Sequence, residues 1–293
     1  MKILVGLDTT PQSTYVVKEV ARLAANTWAD VTLLGIETDT QQGGPPFSAA
    51  DRTNENHPLI RSLRGHREDF LSQFRENDSP YTETSFGYEL VEVENHLWED
   101  LKVCRSPRKR LTTRIRKGTA ARAVLAEARQ FPCDLIVIGA FQIGGGEMSP
   151  TAKKVIHEAD TSVLVVAENK HPRRIVACLD HDLVSQHSLE MINQMVTLYL
   201  ASLEIIAVST SDKLPGEMDR KISQVLKYYT ANGIQALVRL VPGESLVEFA
   251  AQASSENLVA FWMGKQSLLS RIISPSTMDR LLDSSDYSVL ALR

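Results

Sequence analysis

The chain has 293 residues, of which 43% are hydrophobic and 23% charged, with 32 Lys and Arg against 36 Asp and Glu and a formal net charge of −4. Those values exclude a disordered or fibrous chain, exceed what one hydrophobic core usually serves, and supply no overall pull toward nucleic acid or an anionic membrane. No apolar run approaches the roughly 18 residues of a membrane span, and Met1-Lys2-Ile3-Leu4-Val5 leads straight into a strand without a signal-peptide pattern. A cytoplasmic protein is expected, with neither nucleic acid nor membrane among its partners. Cys104, Cys133 and Cys178 are odd in number and widely spaced, which argues for reduced thiols rather than a disulfide framework or a zinc site.

In chain order, Ile3–Asp8 reads as a first strand and Val31–Ile36 as a second, both apolar without polar alternation. An insertion at about 37–110 follows. It opens with the loop composition Gln41-Gln42-Gly43-Gly44-Pro45-Pro46, and then Ile60, Leu63, Phe70, Leu71 and Phe74 recur at roughly helical spacing. Leu90, Val93, Leu97, Trp98 and Leu101 fall at i, i+3, i+7, i+8 and i+11 with Glu89, Glu92, Glu94 and Glu99 between them, the pattern of a second amphipathic helix. The insertion is either packed on its own domain or a lid or docking surface. The run from Arg105 through Arg108, Lys109, Arg110, Arg114 and Arg116 to Lys117 enters the third strand, as a solvated face or a local anion or partner patch. Gly118-Thr119 then turns into a helix, 134–139 is a fourth strand, Gly144-Gly145-Gly146 precedes the helix start Ser149-Pro150-Thr151, and 162–166 closes the unit.

After the polar link Asn169-Lys170-His171-Pro172 the unit is repeated. Ile175–Asp180 matches Ile3–Asp8 at a shift of 172 residues, and Leu203–Val208 matches Val31–Ile36 at the same shift. Gly118 to Gly139 and Gly243 to Gly264 are both 21 residues, and each copy ends in a Ser-Pro helix start and a Ser-Val-Leu strand. Spacing kept over this many elements marks an internal repeat. The second copy alternates strands (174–179, 202–208, 235–241, 258–263, 287–292) with helices (184–199, 217–231, 245–255, 276–284), the pattern of a doubly wound α/β sheet covered on both faces. Two domains are expected, 1–168 and 173–293. In such sheets ligands collect beyond the carboxyl ends of the strands, where Asp8 and Asp180 both sit.

On Asp8 and Asp180, Gly118-Thr119 and Gly243-Glu244, Asp134–Gly139 and Ser162–Val166, the chain resembles the universal stress protein family in a tandem form. The resemblance implies two Rossmann-like, adenine nucleotide alpha hydrolase-like domains, each a five-stranded parallel sheet, paired through their closing strands as an intramolecular pseudo-dimer, with a further homodimer open. It also implies an adenine nucleotide, ATP with magnesium, held in the first domain by Asp8, Thr9, Gly118, Gly139, Gly144, Gly145, Ser149 and Thr151. Nucleotide-binding members carry a loop reading Gly, two residues, Gly, nine residues, Gly, then Ser or Thr. Here Gln142 stands in place of the second glycine, the loop from Gly139 to Ser149 is short, and Pro150 lacks the N–H a phosphate would use. The glycine triplet could still form an anion nest with Lys153 and Lys154 in reach. For Asp8, adenosine contact and a cap of the loop into the first helix weigh equally.

No histidine pair at metal-ligand spacing, no Gly-x-Ser-x-Gly elbow and no Cys/His signature is present, so no metal and no catalytic residue is expected. The expected function is a non-catalytic stress-response or regulatory protein. Two alternatives stand beside it: a protein-binding scaffold without nucleotide affinity that uses the insertion to engage an unknown protein partner, and a very slow ATPase.

Overall fold

The computed structural model describes residues 1–10, 12–37, 57–74, 79–82, 84–94, 97–105, 108–140, 148–167, 172–178, 185–209, 216–262, 275–283 and 287–293, with the backbone alone for 84–105. The first half runs β1 (Lys2–Leu7), α1 (Ser13–Thr27), β2 (Asp30–Glu37), α2 (Pro58–Ser72), β3 (Thr84–Glu94), β4 (Leu97–Arg105), β5 (Leu111–Lys117), α3 (Ala120–Gln130), β6 (Leu135–Gly139), α4 (Pro150–Glu158) and β7 (Ser162–Val166). The second runs β8 (Arg174–Cys178), α5 (Gln186–Tyr199), β9 (Ser202–Ser209), α6 (Gly216–Ala231), β10 (Ala236–Pro242), α7 (Leu246–Ser254), β11 (Leu258–Trp262), α8 (Pro275–Asp283) and β12 (Val289–Leu292). No described helix is long and apolar enough to cross a membrane.

Ten strands form one sheet in the order β10-β9-β8-β11-β12-β7-β6-β1-β2-β5. Each half is parallel throughout and has the same internal order, third-second-first-fourth-fifth, so the repeat in sequence is a repeat in topology. The fold is α/β and Rossmann-like. Fully buried runs such as Leu135–Gly139, Ser162–Val166 and Leu258–Trp262 supply the strands, because a parallel sheet buried on both faces has no solvent side for polar residues to occupy.

The halves join where β7 and β12 pair antiparallel, with Val165 opposite Val289, Leu164 opposite Leu290 and Val163 opposite Ala291. On one face of the sheet α1 packs on α5, where the Tyr199 hydroxyl donates to the Glu19 carboxylate. On the other, α4 runs antiparallel to α8, with His157 Nε2 2.9 Å from Asp279. The Arg293 guanidinium donates to the carbonyls of Ala159 at 2.9 Å and Ile156 at 2.6 Å, capping the end of α4 that has no amide partners of its own. The link at 169–171 lies outside the described residues.

The insertion corrects one sequence expectation. Leu90, Val93, Leu97, Trp98 and Leu101 belong to no helix: β3 and β4 pair antiparallel, from Thr84 opposite Arg105 to Glu94 opposite Leu97, as a separate two-stranded sheet. Tyr88, Leu90, Val91 and Val93 include the aromatic and β-branched residues that favour strands, and only two residues separate the arms. The helix α2 is the counterpart of α6, the ordinary crossover, and not an addition. It sits on β2 because Gly35 has no side chain: a Cβ there would lie 2.5 Å from Leu63 Cδ1 and 3.1 Å from Leu59 Cδ1. Below it Phe70, Phe74 and Tyr81 pack ring on ring at 5.0–5.3 Å. The loop 41–46 lies outside the described residues.

Candidate functional site

In a doubly wound sheet, the loops leaving two adjacent strands diverge where the strand order reverses, and the crevice between them takes ligands. Here that point lies between β1 and β6, which pair from Ile3 opposite Leu135 to Val5 opposite Val137. Asp8 leaves β1 at that edge and Gly139 ends β6 beside it. Gly118, after β5, stands two strands away, roughly 10 Å at ordinary strand spacing. Gly144 and Gly145 lie outside the described residues, as do Asp180 and the loop after Trp262 in the second half.

Asp8 does not cap α1. The residue before that helix is Gln12, whose side chain makes no capping bond. Instead Asp8 Oδ1 accepts from the Thr10 N–H at 2.9 Å, the Thr10 hydroxyl at 2.6 Å and the Ser13 hydroxyl at 2.8 Å, while the Asp8 N–H donates to Ser13 Oγ at 3.1 Å. This closed knot is an Asx turn reinforced by Ser13. It fixes the half-buried carboxylate at the crevice and leaves Oδ2 with no hydrogen bond from the described residues, while Thr9 beside it is exposed. Gly118 has φ +135, a conformation only glycine adopts without strain, and its N–H donates to Glu37 O at 3.0 Å. Thr119 stands at the N-cap of α3 but its side chain makes no capping bond, and the amides of Ala120, Ala121 and Arg122 have no partner among the described residues.

The start of α4 is built differently. Ser149, buried at the N-cap, accepts from the Ala152 N–H at 3.1 Å, and the Lys153 N–H donates to Ser149 O at 3.1 Å. Pro150 has no N–H to give. Asp283, the last residue of α8, reaches across from the second half, accepts the Met148 N–H at 2.9 Å and pairs with Lys153 Nζ at 2.8 Å. The helix end and the lysine that the sequence offers to a phosphate therefore already face a carboxylate of the protein itself, the arrangement a helix N-terminus favours. Lys154 pairs within its helix, 3.7 Å from Glu158. Ser149 is a structural cap, and Thr151, half-buried, keeps the one first-turn amide of α4 to which no partner falls among the described residues.

The basic run is not a uniform solvated face. Arg114 donates to Glu127 Oε1 at 2.5 Å, and Arg116 to Glu127 Oε2 at 2.6 Å and to Gln130 at 2.6 Å, so two of its arginines clamp a carboxylate only 3% exposed on α3. Burial raises the Glu127 pKa, but the hydrogen bonds and charges of Arg114 and Arg116 outweigh it and hold the group below the usual carboxylate range. Burial pushes the Cys133 thiol up to about 11 and the Cys178 thiol up to about 12, which keeps both protonated and unreactive.

A family model described as "Universal stress protein family" matches residues 1–167. No functionally curated protein matches the chain in sequence. Among solved structures, a universal stress protein from Archaeoglobus fulgidus DSM 4304 superposes with a TM-score of 0.64 at 13% identity, covering 100% of this chain and 96% of that one. A candidate universal stress protein from Pseudomonas aeruginosa UCBPP-PA14 gives 0.60 at 16% identity, over 99% and 92%. The cytoplasmic domain of a prokaryotic cation chloride cotransporter gives 0.52 at 11% identity, over 99% and 94%. At these identities the likeness is one of fold.

Proposed function

The chain belongs to the universal stress protein family, and from that premise we propose that it is a non-catalytic stress-response protein whose first half holds an adenine nucleotide by its nucleoside part. One observation carries this reading: the Asp8 knot holds a carboxylate at the crevice with Oδ1 saturated by three donors and Oδ2 turned to no partner among the described residues. Such an oxygen suits hydroxyl or amino donors of a nucleoside. The open start of α3 behind Gly118 and the edge of β6 at Gly139 supply backbone groups on either side. For ATP with magnesium the fit is poor at α4, where Asp283 and Pro150 oppose a phosphate. Binding is therefore dominated by the nucleoside, and the phosphates remain in solvent. An Asp carboxylate tied down by three donors is a poor general base, which supports the non-catalytic reading over slow ATP hydrolysis. The second half completes the sheet through β12 and supplies Asp283. Calorimetric titration with adenosine and with ATP plus magnesium, on the wild type and on Asp8→Ala, tests the reading; heat from the wild type that vanishes in the variant supports it, and silence with both ligands rejects it.

The hairpin β3–β4 favours a second role beside this one. It forms a two-stranded sheet of its own, apart from the ten strands, and excursions from a rigid sheet are where partner binding concentrates. Deleting residues 84–105 should leave the melting temperature nearly unchanged while removing any partner that co-purifies with the full chain; a large fall in melting temperature would assign the hairpin to the fold instead.

A further inference from the structure

The internal repeat makes each half a control for the other, and they differ sharply at the amino ends of the strands, on the sheet edge opposite Asp8. In the second half Glu204 of β9 is 2% exposed and is ion-paired by Arg174 of β8 at 3.0 Å and by Arg239 of β10 at 2.5 Å. In the first half the same register positions hold Lys2, Thr32 and Arg114. Thr32 lies opposite Leu4 as Glu204 lies opposite Val176, and Arg114 lies opposite Leu34 as Arg239 lies opposite Ile206. Both cations are kept and the strand carboxylate between them is gone. In its place is a cavity of about 270 Å³ lined by Lys2, Thr32, Arg110, Thr112 and Arg114, with the C-terminal turn of α3 as its roof.

Glu127 on α3 replaces the missing charge only in part. It serves Arg114 and Arg116, the latter from outside the cavity lining. The Lys2 ammonium and the Arg110 guanidinium have no carboxylate partner among the described residues, Asp134 accepting only the Lys2 main-chain N–H at 2.7 Å, and the hydroxyls of Thr32 and Thr112 make no hydrogen bond there. Asp30, the other carboxylate of the lining, is occupied at Oδ1 by the Arg110 N–H at 3.0 Å. The lining thus sets three cations, Lys2, Arg110 and Arg114, against two carboxylates, Asp30 and Glu127, beside an apolar wall of Ile3, Leu4 and Phe131, in a volume for a small ligand only.

We propose that this cavity binds a small carboxylic acid, its carboxylate seated between Lys2 and Arg114 as the Glu204 side chain is seated between Arg174 and Arg239. The physical basis is charge-assisted hydrogen bonding to a carboxylate in a site where threonine replaces the strand carboxylate of the second half and Glu127 engages Arg114 from the helix side alone. Arg110 and the two threonine hydroxyls serve the remainder of the ligand. The site is independent of Asp8 and of the adenine reading.

Propionate, the side-chain fragment of glutamate, is the direct probe. The full chain is titrated with sodium propionate and, at matched ionic strength, with sodium chloride, while calorimetric heat and melting temperature are recorded. The wild type should show saturable binding and a rise in melting temperature with propionate alone. Thr32→Glu installs the second half's own solution and should weaken propionate at least tenfold; Lys2→Met, at an exposed position where refolding is not in question, should do the same. A wild type indifferent to propionate, or variants that bind it as the wild type does, would overturn the proposal.

Discussion

Asp283 and Met148 stand 135 residues apart, yet the carboxylate of one accepts the main-chain N–H of the other at 2.9 Å, just ahead of the first turn of α4. Asp283 also holds Lys153 at 2.8 Å. The second half thereby contributes a negative charge where an anionic ligand of the first half would place its own. Asp283→Asn keeps the shape and removes the charge, freeing Lys153 and the field of the helix end. The affinity for ATP relative to adenosine should rise by about tenfold, the equivalent of ~1.4 kcal/mol. Calorimetry on both ligands reads the ratio, and a ratio unmoved by the substitution would mean that Asp283 does not oppose phosphate.

Glu127 links stability to pH. Its carboxyl titrates below the usual range in the folded state because Arg114 and Arg116 hold the charged form against the effect of burial. A group depressed on folding contributes stability that is complete above its unfolded value, about 4.3, and is lost as pH falls through the folded value. Glu127→Gln should be less stable than the wild type at pH 7 by about 1–3 kcal/mol, with the gap closing below about pH 4. Urea unfolding at a series of pH values measures this; a gap that widens on acidification contradicts the assignment.

Trp28 and Leu200 end the equivalent helices α1 and α5 in the left-handed region, with φ 49 and φ 51. Glycine is the residue that this position ordinarily takes. Leu200 is 91% exposed, so little burial is lost by removing it. Leu200→Gly should stabilise the chain by about 0.5–1 kcal/mol, the strain relieved exceeding the added entropy of the unfolded state. The urea midpoint reports the sign. Trp28 is the poorer target, since its ring lies 5.6 Å from the Arg108 guanidinium.

Two glycines of the first half should respond in opposite ways to the same change. Gly35→Ala would drive a methyl group to 2.5 Å from Leu63 Cδ1 and push α2 off β2, a loss of about 1–3 kcal/mol. Gly65, inside α2, has nothing within 4 Å of a Cβ, and Gly65→Ala should gain up to about 1 kcal/mol from helix propensity. Equal effects from the two would place α2 away from β2.

The second half was legible almost element by element, because runs such as Ile175–Cys178 and Leu258–Trp262 are apolar throughout and alternate with helical periodicity. The hairpin was not. Leu90, Val93, Leu97 and Leu101 fit a helical stripe as readily as two strands, and only the β-branched and aromatic content with the Asn95-His96 break favoured the strands. Of the candidate site, Asp8, Gly118 and Gly139 were legible as strand ends that topology brings to one edge. Asp283 was not, since its place at α4 follows from the antiparallel pairing of β7 with β12, which no local pattern encodes. The partner of Arg114 and Arg116 was hidden in the same way: the run reads as a charged surface until α3 folds Glu127 over it.

Asp8 carries the proposed nucleoside site, and calorimetric titration of the wild type and Asp8→Ala with adenosine tests it. Saturable heat from the wild type, weakened at least tenfold in a variant that still unfolds cooperatively, is the predicted result. Absence of heat from the wild type, or equal affinity in the two proteins, would contradict it.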